Sequence, residues 1–199
     1  MKITKIKAEN FKSYKNIEIK LNNLNFIIGG NASGKSNYVN LLKFFNDIIY
    51  YGIDDAILLQ GGIKYLLNSN CRKNSSIKLN FEISFQKEQQ TTVKLFTIDN
   101  KKIYLPSTLK YFLQIKPNEK GDGYKISNEK LEIKFEHLEN KNGEINLIDS
   151  YNLKISKDSN KKIQDNFNTK QKKEDNDFIN MNYIVKFKER EGLLINNIF

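Results

Sequence analysis

The feature that most constrains this chain is the stretch at positions 25–37, Asn-Phe-Ile-Ile-Gly-Gly-Asn-Ala-Ser-Gly-Lys-Ser-Asn. Its apolar run, Phe26-Ile27-Ile28, predicts a short buried strand that empties into Gly29. Gly29, Gly34, Lys35 and Ser36 then complete the pattern G-x-x-x-x-G-K-S. Glycines at these points let the backbone curl until successive N–H groups face inward on an anion. A helix that starts at the loop adds its own unpaired N–H groups and the positive end of its dipole. The whole loop, Gly29, Gly30, Asn31, Ala32, Ser33, Gly34, Lys35, Ser36 and Asn37, is therefore the candidate nucleotide-binding site. In that chemistry Lys35 reaches the β- and γ-phosphates and the Ser36 hydroxyl ligates Mg²⁺.

The pattern asks for a strand before the loop and a helix after it. Val39, Leu41, Leu42, Phe45, Ile48 and Ile49 recur at helical spacing over residues 38–49 and supply the helix. The alternative is a glycine turn between strand and helix that binds nothing. The match of motif and context favours a P-loop, with ATP and Mg²⁺ as the implied cofactors.

Composition narrows the remaining classes. The chain has 199 residues, enough for one domain or a domain with an appendage, and 39% are hydrophobic. The net charge of +10 suits an anionic partner, nucleotide or DNA, although the lysines do not gather in one block. Cys71 and His137 are the sole residues of their kinds, which excludes an internal disulfide, a zinc cluster and a histidine-based triad. Neither a signal peptide nor an apolar run of membrane-spanning length is present. The expectation is a cytoplasmic protein with no membrane partner.

Ahead of the loop, residues 1–9 alternate as a half-exposed strand, and residues 17–21 repeat the pattern. Ile6-Lys7-Ala8-Glu9-Asn10-Phe11-Lys12-Ser13-Tyr14, followed by Gly29-Gly30-Asn31-Ala32-Ser33-Gly34-Lys35-Ser36-Asn37, resembles the opening of an ABC-type ATPase head. The resemblance is to the RecF/SMC-like group and to the related AAA-type ATPases of DNA repair and phage defence. It is specific over about the first fifty residues. It implies an α/β P-loop NTPase core with an adjoining antiparallel β-sheet, and it places Lys12 beside the nucleotide. It also implies a homodimer formed on nucleotide, with DNA as a further partner.

Residues 54–60 and 63–67 read as short apolar segments separated by Gly61-Gly62, and Gln60-Gly61-Gly62 fits a helix C-cap better than a signature motif. From Ser75 the period becomes two: Ile77, Leu79, Phe81, Ile83 and Phe85 make a long strand, with residues 93–98 as its expected hairpin partner. Short strands at 109–116, 124–126, 131–135 and 145–155 follow, parted by Lys120-Gly121-Asp122-Gly123 and Lys141-Asn142-Gly143. The expected division is a P-loop core over 1–74, a sheet subdomain over 75–156, a polar mobile insertion over 157–177, and a returning strand with a truncated end over 178–199.

An ATPase also needs a carboxylate that holds Mg²⁺ through water and a group that orients the attacking water. The nearest candidate for the carboxylate is Asp149 in Ile145-Asn146-Leu147-Ile148-Asp149, with Ser150 where a catalytic Glu belongs. No water-orienting glutamine is singled out among Gln86, Gln89, Gln90 and Gln114. The expectation is the N-terminal part of a longer ATPase whose C-terminal part carries those motifs, inactive on its own. The alternative from another class is a non-hydrolysing nucleotide-sensing and dimerisation module. A small kinase or GTPase fits poorly, because two strands precede the loop and no N-K-x-D segment follows it.

Overall fold

The computed structural model describes residues 2–71, 75–85, 97–99, 102–120, 122–141, 144–158 and 163–168. In chain order the elements are β1 (Lys2–Phe11), β2 (Tyr14–Lys20), α1 (Lys35–Tyr51), α2 (Ile53–Leu59), α3 (Ile63–Leu66), β3 (Ile77–Ser84), β4 (Thr97–Asp99), β5 (Lys102–Pro117), β6 (Tyr124–Lys141), β7 (Glu144–Asp158) and β8 (Ile163–Asn168). The strands form one antiparallel sheet ordered β2-β1-β3-β5-β6-β7-β8, with β4 paired to β5.

Alternation decides which face of the sheet is dry. Along β3, Ile77, Leu79, Phe81 and Ile83 are buried while the residues between them are only partly so. Register carries the same face sideways: Phe81 lies opposite Ile6 on one side and Tyr111 on the other. Helix α1 covers this face. Phe45 stacks on Phe81 with ring centroids 3.8 Å apart, and Phe44 meets Phe11 at 5.9 Å. Removing a phenylalanine from such a contact costs about 3–5 kcal/mol. The far strands of the sheet are tied to the helices by the Tyr124 hydroxyl of β6, which donates to Asp54 of α2 at 2.5 Å. That bond and burial together push the Tyr124 hydroxyl well above the usual phenol range, the burial being the larger effect.

The opposite face is wet and charged. Lys5, Glu82, Lys110, Glu132 and Lys154 stand in one cross-strand row, each opposite the next. Signs alternate along this row, so its cations stand against acids, whereas the next row across the same strands, Lys7, Asn80, Phe112, Lys130 and Ser156, holds lysines without an acid.

Several expectations change. Residues 26–28 form no strand: Phe26 is 81% and Ile28 94% exposed. They pair with no described strand, although β2 is the last strand on its side of the sheet and both edges of β1 are taken by β2 and β3. The apolar run therefore stands uncovered by the described residues. Among the described residues the strands make one sheet, in which β1 pairs directly with β3. β3 pairs with β1 and β5, and the described part of the expected 93–98 partner is β4, which pairs with β5. The strands expected at 124–126 and 131–135 are one, β6, carried past Ser127 by an irregularity opposite Gln114 and Ile115.

The stretch expected as a loop from 157 contains the end of β7 and all of β8, which pairs with β7 from Asn152↔Asn168 to Lys157↔Ile163. Backbone bonding to a free sheet edge requires no apolar side chains, which is why composition hid it. Residues 169–199, with the returning strand and the apolar end expected there, lie outside the described residues. One cap came out as read: Gly62 N–H donates to Ile57 and Gly61 N–H to Leu58, closing α2 with positive φ at both glycines.

Candidate functional site

Helix α1 begins at Lys35, three residues before the apolar periodicity, so its first turn belongs to the loop. Its N-cap is Gly34 at φ 97, a left-handed backbone that favours glycine, and no side chain caps the turn. The first-turn N–H groups thus face the loop without a side-chain partner. Ala32 is also left-handed, at φ 61, a conformation that costs an L-residue about 1–2 kcal/mol. Strain of that kind concentrates at binding loops.

Lys35 folds back over the loop. Its ammonium donates to the carbonyls of Gly29 and Gly30, both at 2.6 Å, and lies 3.5 Å from the Ser33 hydroxyl. The Ser33 N–H reaches the Gly30 carbonyl at 3.4 Å. One cation therefore sits at the mouth of a ring of backbone dipoles, next to an uncapped helix N-terminus.

The hairpin turn between β1 and β2 grips the loop from behind. Asn37 donates through Nδ2 to the Ser13 hydroxyl at 2.7 Å, and the Tyr14 hydroxyl donates to the Gly34 carbonyl at 2.7 Å. Lys12, the residue before them, is held left-handed at φ 49 with its N–H on the Leu66 carbonyl. Partial burial lowers the Lys12 ammonium pKa, so a nearby anion would restore what desolvation takes away. Ser13 and Tyr14 were not singled out from the sequence. Their only signal was their place in the Asn-Phe-Lys-Ser-Tyr opening.

A family model described as AAA ATPase domain matches residues 1–199. The chain belongs to the AAA ATPase domain family. Among solved structures it is similar to one reported for the structural biochemistry of ATP-driven dimerization and DNA-stimulated activation of SMC ATPases. That likeness has 17% identity and a TM-score of 0.40, over 72% of this chain and 71% of the other. No curated protein matches.

In this AAA ATPase domain Ser36 is exposed in the first turn of α1, and its hydroxyl takes no hydrogen bond among the described residues. Those residues hold no cluster of three or more His, Cys, Asp or Glu fit for a metal. Mg²⁺ bound here would take Ser36 together with phosphate oxygens and water, which is the way a hard, reluctantly dehydrated cation is held beside phosphates.

Asp149 does not join the site. It lies on β7 opposite His137, and its Oδ1 accepts the Ser150 N–H at 2.7 Å. Strand β7 stands five positions from β2 in the sheet, about 24 Å at ordinary strand spacing. Gln114 is on β5, and Gln86, Gln89 and Gln90 lie outside the described residues. No helix among the described residues is long and apolar enough to cross a membrane.

Proposed function

We propose that this AAA ATPase domain binds ATP with Mg²⁺ through residues 29–37, with Lys35 on the β- and γ-phosphates, Ser36 on the metal and Lys12 beside the nucleotide. One observation carries the reading: the Lys35 ammonium gathered on the Gly29 and Gly30 carbonyls beside the uncapped N-terminus of α1. Titration of a fluorescent ATP analogue against wild type and Lys35→Ala tests it. The variant should lose nearly all affinity while staying folded, and equal affinity in the two would sink the proposal.

In the same reading the protein is the N-terminal part of an ABC-type, RecF/SMC-like ATPase, working in the cytoplasm. A Mg²⁺-positioning carboxylate and a signature segment come from a C-terminal part, and two copies close on ATP so that the signature segment of one faces Lys35 and Ser36 of the other. The uncovered Phe26 and Ile28, ahead of the loop, support a further element packing there. The chain alone is expected to turn over ATP far more slowly than the ordinary enzyme range of about one per second and above. A rate in that range, abolished by Lys35→Ala, would show that the chain carries its own carboxylate. A role on DNA, in repair or phage defence, follows from the resemblance. It is tested by whether duplex DNA raises the turnover of the protein completed with its C-terminal part; no change would count against it.

A further inference from the structure

We infer that Tyr14 is a positioning residue for the phosphate cradle, acting through the Gly34–Lys35 peptide. The inference rests on the nucleotide-binding reading above. The Tyr14 hydroxyl donates to the Gly34 carbonyl at 2.7 Å, and the Tyr38 N–H donates to the same oxygen at 3.1 Å. Both acceptor directions of that oxygen are then in use. In a planar trans peptide the C=O and the N–H point opposite ways. Pinning the Gly34 oxygen toward the helix and the hairpin therefore aims the Lys35 N–H outward from the helix N-terminus, where a phosphate oxygen would accept it.

The only local restraint on this oxygen is the 3.1 Å bond from the Tyr38 N–H, since Gly34 is left-handed without a side chain and no side chain caps α1. The shorter Tyr14 bond adds a second restraint from outside the helix. Tyr14 is well placed to supply it. Phe11 is fully buried, the Lys12 N–H is fixed on Leu66, and Ser13 takes the Asn37 amide. The Tyr14 ring lies 3.1 Å from where a Gly34 Cβ would stand, so the contact is already close. Burial raises the Tyr14 hydroxyl pKa, which keeps the proton in place as a donor.

The test is calorimetric titration of Mg·ATP into wild type and Tyr14→Phe, with thermal melts of both free proteins. Loss of one hydrogen bond that orients a phosphate ligand should weaken binding about fivefold. A lower melting midpoint with wild-type affinity would mark a purely structural hydroxyl and overturn the inference, as would no change in either. Failure of the wild type itself to bind Mg·ATP would bring down the parent reading, a different result. Should Tyr14→Phe not fold, a fluorinated tyrosine at position 14, with a hydroxyl that ionises near neutral pH, replaces it. Affinity should then fall across that ionisation in the substituted protein alone, and parallel pH profiles would overturn the inference.

Discussion

Two backbone positions in the loop carry opposite lessons about side chains. Gly34 is left-handed with the Tyr14 ring close against it, so Gly34→Ala meets both a disfavoured φ and a crowded neighbour. Its cost should be about 1–2 kcal/mol, read as a lower melting midpoint, with weaker ATP binding besides. Ala32, at φ 61, bears the same conformational cost in the native chain. Ala32→Gly should relieve that strain against the larger entropy glycine loses on folding, for a net gain of under about 1 kcal/mol. Chemical denaturation of the free protein checks the sign. A clear loss of stability in Ala32→Gly would mean that the loop is not held as described.

At the scale of an element, the β1–β2 hairpin is the part to watch, because it presents Ser13 and Tyr14 to the loop. Glu18 on β2 accepts from Lys5 at 2.6 Å and from Lys7 at 2.7 Å. The two ammonium groups hold its carboxyl at about 2, below the ordinary 4.5. A carboxyl depressed in the folded state adds stability above its ordinary pKa and loses it as pH falls through the folded value. The contribution should therefore fade between pH 4.5 and about 2. A carbon-detected titration of the Glu18 carboxyl should give a midpoint near 2 that moves up toward 4.5 when Lys5 and Lys7 are both replaced by Met. An unshifted midpoint in that variant would remove the ion triad.

This hairpin was readable in the sequence, since the alternation of Ile6 and Ala8 with Lys5 and Lys7 fixes its two faces. So were α1, from its apolar spacing, and the cap at Gly61-Gly62. Pairing partners were not. Period two says that β3 is a strand, yet only long-range register sets β1 and β5 beside it. The 26–28 run misled for the same reason, because burial depends on what lies opposite. Within the site, the loop was fully legible as a motif. The Tyr14 grip was not, since it depends on where a hairpin lands in space.

For the molecule as a whole, the balance between the charged sheet face and the uncovered apolar stretch decides how it behaves in solution. The row from Lys5 to Lys154 alternates in sign, and charged side chains of this kind oppose association through that part of the face. Ahead of the loop the position is different. Leu24, Phe26 and Ile28 are 70%, 81% and 94% exposed, Leu24 in the bend closed by the Asn22–Asn25 hydrogen bonds and the other two just after it. Backbone that pairs with no described strand can act as an edge for another chain, and exposed apolar surface of this kind drives association. The free chain should therefore self-associate as concentration rises, with the 24–28 segment at the contact. Light scattering over a concentration series checks this against the double variant Phe26→Ser, Ile28→Ser, which should stay monomeric over a wider range. A wild type that remains a clean monomer at high concentration would mean that this segment is covered within the chain itself. Equal association in both proteins would place the contact elsewhere. Relief of association on co-expression with the proposed C-terminal part, at unchanged total protein, would identify that part as what normally lies against Phe26 and Ile28.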